Sequence, residues 1–206
     1  GTGRGPKVDI AVDPIDGTRL LALGRSNALA TVALSDRGTM FNPGPIFYMD
    51  KIALITDVHG NMPALETVLA DIKQRGIDLI YNLGDLVGKG PSSAQVLDLC
   101  REVCQVIVRG NWDDGIAREA DDPLALWYRA QLGEARLDYL RNLPNVHDFR
   151  LSGKHVRLYH ASAKSEHHRV HPGSGDEALQ GMFDNTPFTG FENPAPDIVA
   201  YGDIHG

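Results

Sequence analysis

FYMDKIALITDVHGN, residues 47–61, decides how the chain is read. Its left part finishes a Gly/Pro-rich run that begins with FNPGP at 41–45, and its right part opens a different pattern. KIALIT is a short apolar run with β-branched residues, the composition of a strand buried on both faces of a parallel sheet. GNMPALETVLADIKQRG follows, with Met62, Leu65, Val68, Leu69 and Ile72 at helical spacing and Gly76 placed to cap the end. IDLIYNL reads as a second strand, SSAQVLDLCREV as a second helix with Ser92 or Ser93 as N-cap, and CQVIVRG as a third strand. A βαβαβ series of this kind predicts a parallel sheet with right-handed crossovers.

Leu124, Leu126, Trp127, Leu132, Leu137, Leu140 and Leu143 predict two or three packed helices within residues 113–144. HDFRLSGKHVRLYH (147–160) predicts a hairpin turning at SGK. A polar, His-rich loop (161–174, with His167, His168 and His171), a short helix near Asp176–Phe183 and a strand in DIVAYG follow. Residues 1–48 do not join this pattern. VDIAVDPIDGT and NALATVALSDRGTM alternate strand-like runs with turn residues, and fewer than about 50 residues without a disulfide form a marginal core alone. The expected division is a partial segment at 1–48 and a domain at 49–206.

The 206 residues suffice for one sizeable core, or for one domain and a fragment. Arg/Lys and Asp balance five against five in residues 1–50, so the net charge of −7 resides in residues 51–206. Such a surface repels a phosphate backbone, which disfavours a nucleic-acid polymer as partner. No apolar run approaches the ~18 residues of a membrane span. Cys100 and Cys104, spaced i, i+4, fit helix packing better than a CxxC site. No signal peptide is recognisable, so the cytoplasm is the expected location. Composition leaves a homo-oligomer open.

Ligands of open α/β sheets bind beyond the carboxyl ends of the strands. Here each strand end carries an oxygen or nitrogen donor: Asp57 and His59, Asp85 in LGDLVGKGP, Asn111 in RGNWDD, His160 in LYHASAK, and Asp203 with His205 in YGDIHG. Residues i and i+2 of an extended chain face the same side, so Asp57 with His59, and Asp203 with His205, can reach inward together. Any one of them alone would be an ordinary cap, turn former or polar histidine. Together they predict two divalent first-row metals about 3.5–4 Å apart, with the central Asp85 as bridge. Asp85 and Asn111 are assigned catalytic roles. Asn61, at a helix start whose N–H groups suit phosphate, joins Lys89, Arg109 and Trp112 as candidate substrate contacts. Surface charge is the plainer reading of Lys89 and Arg109, and packing that of Trp112.

DVHGN, GDLVGKGP, GNWD, YHAS and GDIHG resemble, in that order, the motifs DxHGN, GDxVxxGP, GNxD, H and GHxH of the calcineurin-like metallophosphoesterases, in particular their small prokaryotic phosphodiesterase branch. The resemblance covers residues 49–206. It implies a four-layer αββα sandwich and a hydrolase of small phosphoesters holding two divalent ions, Mn2+ first, with Mg2+, Fe2+ or Ni2+ as alternatives. Carried over position by position, Asp57, His59, Asp85 and His205 would hold one ion, and Asp85, Asn111, His160 and Asp203 the other. A metal-bridging hydroxide would attack phosphorus in line. Trp112 stands where many relatives have the His of GNHE, so the chain lacks that proton donor for a leaving group. This resembles the branch acting on phosphodiesters or activated esters, and Trp112 would either pack or present a platform to a base or aryl group. Asp203 replaces the first His of GHxH. The added carboxylate brings the centre near neutrality, predicting harder ions (Mn2+ or Mg2+) and a more alkaline optimum.

GPKVDIAVDPIDGT, NALATVALSDRGTMFNPGP and FYMDK resemble the middle of a class II fructose-1,6-bisphosphatase. That resemblance implies metal ligands at Asp13 and Asp16, Thr18 closing the motif, and a substrate contact at Tyr48. Two carboxylates without further ligands bind a metal weakly. A sugar bisphosphate phosphatase is therefore the alternative function, and a catalytically inactive binding or scaffold protein the third. Met49 would be the natural start of the right-hand domain, whose sandwich is expected to be cut short at Gly206.

Overall fold

A computed structural model describes the backbone of residues 8–13 and 31–36, and residues 51–118 and 122–204 with their side chains. The chain divides into two compact units, Gly1–Met49 and Asp50–Gly206. In the first, β1 (Val8–Asp13) pairs antiparallel with β2 (Thr31–Asp36), Asp13 lying opposite Thr31. Asp16, Thr18 and Tyr48 lie outside the described residues.

In the second unit β3 (Ile52–Ile55), β4 (Leu79–Asn82) and β5 (Val106–Ile107) form a parallel sheet in that order. The crossovers are α1 (Met62–Gln74) and α2 (Ser93–Val103). Asn61 caps α1 by accepting the Ala64 N–H at 3.2 Å. The helix ends where Gly76 takes φ +65°, and the N–H groups of Gly76 and Ile77 return to the carbonyls of Lys73 (3.0 Å) and Ile72 (3.2 Å). That pairing satisfies two terminal carbonyls and needs a left-handed residue, which glycine adopts without a Cβ penalty. Ser92 takes the N-cap of α2 without a side-chain bond, while the Ser93 hydroxyl accepts the Gly88 N–H at 3.1 Å. The third strand is shorter than CQVIVRG suggests, because the Arg109 N–H leaves the sheet and bonds to the Pro144 carbonyl at 2.8 Å.

Three helices follow: α3 (Asn111–Ala117), α4 (Pro123–Leu132) and α5 (Glu134–Arg141). The second sheet contains the hairpin β6 (Val146–Leu151) and β7 (Lys154–Tyr159), with β8 (Ile198–Ala200) parallel to β7. Ser152 (φ 51°) and Gly153 (φ 80°) make the turn, the double left-handed geometry that matches strand twist. A short α6 (Asp176–Gln180) and a 3-10 turn (Gly181–Phe183) precede β8.

Burial defines four layers. Leu65, Val96, Leu97, Cys100, Ile107 and Leu140 pack helices onto the outer face of the first sheet. Leu83 and Val108 from the first sheet's strand ends meet Val156 and Leu158 between the sheets. Tyr159, Val170 and Met182 cover the far side of the second sheet. Alternation along β7 explains why one strand feeds two layers, with Val156 and Leu158 inward and Arg157 and Tyr159 outward. Arg157 is fully buried opposite Asp148 in the hairpin register. Its Nε and Nη2 donate to the Asp148 carboxylate at 2.8 and 3.2 Å, and Nη1 donates to Asn185 Oδ1 at 2.9 Å.

Candidate metal centre

The ends of β3, β4, β5, β7 and β8 carry Asp57, Asp85, Asn111, His160 and Asp203, and the loops that hold them are laced together. The N–H groups of Asp57, His59 and Gly60 donate to the carbonyls of Gly84 (3.0 Å), Asp85 (2.8 Å) and Leu86 (2.9 Å). Gly84 and Gly110 permit a close approach of two loops, since a Cβ on Gly84 would stand 2.5 Å from the Gly110 nitrogen and one on Gly110 2.2 Å from the Asp85 nitrogen. Extended alternation is not what aims the first pair. Asp57 (φ 56°), His59 (48°), Asp85 (57°) and Asp203 (62°) are all left-handed, a region that Asp and His tolerate better than most residues.

One ligand atom each of Asp57, Asp85, His160 and Asp203 lies within 4.8 Å of the others. Asp85 is at the middle: its Oδ2 is 3.3 Å from His59 Nε2 and 3.5 Å from His160 Nε2, while its Oδ1 accepts the Trp112 N–H at 2.8 Å. The His160 Nδ1 bonds to the Leu83 carbonyl at 2.7 Å and the His59 Nδ1 to that of Val87 at 3.3 Å. Each ring thereby directs Nε2 toward the centre. Asn111 Nδ2 donates to Asp203 Oδ1 at 3.4 Å. The buried Asp85 Oδ2, Asn111 Oδ1 and His160 Nε2 have no hydrogen-bond partner. Such atoms cost about 1–3 kcal/mol each when left unsatisfied, and a carboxylate, amide and imidazole set suits first-row divalent ions. The residues fit the expected metals.

Electrostatics agree with a cation site. Burial alone would raise the Asp57 carboxyl, but hydrogen bonds with His59, Thr56 and the Asp203 N–H hold it well below the usual carboxylate range. For His160 burial favours the neutral ring, yet the Asp85 carboxylate 3.5 Å away, with the Asp57 charge behind it, pushes its pKa up to about 9. His205 lies outside the described residues.

A family comparison decides the wider context: the profile of the calcineurin-like phosphoesterases matches residues 50–206. The chain belongs to this family. An uncharacterized protein of Methanocaldococcus jannaschii is 36% identical over 121 residues, which are 55% of this chain and 50% of that protein. A Pyrococcus horikoshii protein of known crystal structure shares the fold, with a TM-score of 0.54 and 21% identity over 64% of this chain and 63% of that one. The profile of the glpX-encoded bacterial fructose-1,6-bisphosphatases matches residues 1–97. A class 2 fructose-1,6-bisphosphatase of Escherichia coli is 49% identical over 101 residues, 49% of this chain and 27% of that enzyme. The chain thus spans half the length of the archaeal relative and about a quarter of the bisphosphatase. The two profiles overlap at 50–97. Within the overlap, Asp57 and Asp85 converge with His160 and Asp203, which lie beyond the bisphosphatase match.

In this calcineurin-like phosphoesterase the other expected contacts divide. Lys89 Nζ is 2.9 Å from His59 Nε2 and 5.4 Å from the Trp112 ring, whose face also meets His59 edge-on at 5.7 Å. Asn61 is occupied as the α1 cap. Arg109 is enclosed, donating to Asn145 Oδ1 at 2.6 Å and the Arg141 carbonyl at 3.2 Å and lying 3.5 Å from both Asp114 and Glu166. Asp114, Glu166 and His167 could form a second ligand group, but Arg118, 2.7 Å from Asp114, and Arg109 already neutralise it. This cluster is an ion-pair network.

Two residues of the centre escape sequence reasoning. Asp113, quoted in GNWD without a role, accepts the N–H groups of Asp85 (2.8 Å), Leu86 (3.0 Å), Val87 (3.2 Å) and Gly110 (3.0 Å). Burial and the Asp85 charge raise its carboxyl, and the four donors work against them. Its position on the third residue of a helix after a glycine is the available signal. Asp113→Ala is expected to destabilise the fold by at least about 3 kcal/mol, read by denaturant unfolding, because four buried donors lose their acceptor. Arg169, from the His-rich loop, forks onto Asp203 with Nε at 2.9 Å and Nη2 at 2.5 Å. It returns a positive charge beside the carboxylate that replaces histidine, and the charge count from sequence omits it. No periodicity or motif marks it.

Proposed function

We propose that residues 50–206 form a metal-dependent phosphoester hydrolase acting on phosphodiesters, with two divalent ions, Mn2+ foremost. The reading rests above all on Asp85: a fully buried carboxylate with one oxygen pinned by the Trp112 N–H and the other between two imidazole nitrogens without a hydrogen-bond donor. That is the place of a shared ligand. Asp57, His59 and Asp85, with His205, would hold one ion; Asp85, Asn111, His160 and Asp203 the other. When bound, the ions supply charge against the phosphoryl oxygens and acidify water.

The chain's own groups do the rest. Laced loops fix the donors before substrate arrives, so little reorganisation accompanies the reaction. Arg169 places a cationic side chain against the proposed ligand Asp203, where it would help hold a phosphoryl group, and Lys89, 2.9 Å from His59 Nε2, would do so once that atom is given over to the ion. Position 112 offers an indole where a general acid would stand, so the leaving group must depart with little help. This favours diesters with good leaving groups over alkyl monoesters.

Hydrolysis of bis(p-nitrophenyl) phosphate, p-nitrophenyl phosphate and fructose 1,6-bisphosphate, measured with metal content, tests the reading. The diester should be cleaved fastest, activity should vanish after chelation, and Mn2+ should restore it. Cleavage of fructose 1,6-bisphosphate alone would instead favour the bisphosphatase reading that the 49% identity of the E. coli enzyme supports.

A further inference from the structure

An open cleft of about 330 Å3 lined by residues of α3 and α4 shares Asn111 with the candidate metal centre. Asn111 and Trp112 line it, and the same two residues donate to Asp203 and Asp85. Trp112 therefore belongs to both places: its N–H donates to Asp85 and its ring stands beside His59 and Lys89, while the residue also lines the cleft. Beyond it the wall is apolar: Ile116, Leu124, Ala125 and Tyr128. The volume is at the lower end of small-molecule sites, which are concave, mostly apolar and provided with a few polar groups.

Charge restricts the occupant. Among the described residues lining the cleft there is no Lys or Arg. Asp122 stands at its edge, one oxygen committed to the Ala125 N–H at 2.9 Å, and His167 faces Asp114 at 3.4 Å. A second phosphate would meet the Asp122 carboxylate here with no Lys or Arg among the lining residues to balance it, which disfavours a sugar bisphosphate. The apolar and aromatic lining instead suits a flat uncharged ring.

We propose that this cleft binds a planar aromatic ester group of the substrate, making Trp112, Leu124 and Ala125 determinants of specificity. The proposal rests on phosphodiester hydrolysis at the adjoining centre. It is tested with a diester that carries rings and one that carries none, bis(p-nitrophenyl) phosphate and bis(2,2,2-trifluoroethyl) phosphate, using the Mn2+-loaded full chain. The ratio of their kcat/KM values, compared between wild type and variant, cancels intrinsic reactivity. Ala125→Trp, which fills the cleft, should lower that ratio by about five-fold or more through KM for the bis-aryl ester, in the range a lost apolar contact commands. Leu124→Ser, at a position 52% exposed, should lower it in the same direction and serves if the bulkier variant does not fold. An unchanged ratio in the folded variants, with hydrolysis intact, would overturn the cleft assignment alone. No hydrolysis of either ester by the wild type would overturn the hydrolase reading and the cleft with it.

Discussion

Asp85→Asn is expected to lower diester hydrolysis by about three orders of magnitude while leaving the fold almost intact. The asymmetry of the site is the reason. Asp85 Oδ1 accepts the Trp112 N–H, and an amide oxygen can do the same. Oδ2 lies within 3.3 and 3.5 Å of the two imidazoles, and there an amide NH2 removes both the negative charge and a donor atom. Losing one preorganised group that meets developing charge costs about 10²–10³ in rate, and a shared ligand affects both halves of the centre. Metal content should fall in parallel, read by elemental analysis after dialysis. Full metal content and activity in the variant would remove Asp85 from the centre and leave the proposed function without its main support.

Arg157→Leu should destabilise the second sheet by about 3–5 kcal/mol. The guanidinium is fully buried and bonded to Asp148 and Asn185, so its removal leaves a carboxylate that is itself only 18% exposed with the His155 ring, 3.6 Å away, in place of its ion-pair partner. Much of that cost reflects the carboxylate left behind. The double change Arg157→Leu with Asp148→Leu should therefore be markedly less destabilising than the single one, as paired removal of a buried ion pair often is. Equal losses in the two proteins, measured by denaturant midpoint and slope, would show that Arg157 contributes through packing instead.

The strand-helix alternation around KIALIT and the donors at strand ends were legible because each rests on a local pattern. Periodicity reports burial, and Asp or His after an apolar run reports a strand end. The route by which donors converge was not legible, since extended geometry predicted Asp57 and His59 together and left-handed residues deliver them. Asp113 and Arg169 act across 28 and 34 residues of sequence, onto Asp85 and Asp203. Nothing in their immediate neighbours specifies such partners. The Arg157–Asp148 pair was hidden for the same reason, because β-register fixes it only once the turn at Ser152 and Gly153 is known. Capping at Asn61 shows the opposite case, where a residue considered for substrate contact has a local role that its position before an amphipathic helix also announces.

Four residues of the centre, Asp57, His59, Asp85 and Asp203, have left-handed backbones. A side chain in that conformation carries roughly 1–3 kcal/mol of strain that glycine would not. Selection for heat tolerance alone would set that relief against the buried hydrogen bonds these carboxylates accept, and would erase the centre wherever glycine came out ahead. Their retention would have to be enforced by a screen for chemistry, and any thermostabilisation campaign on this chain should hold these four codons fixed.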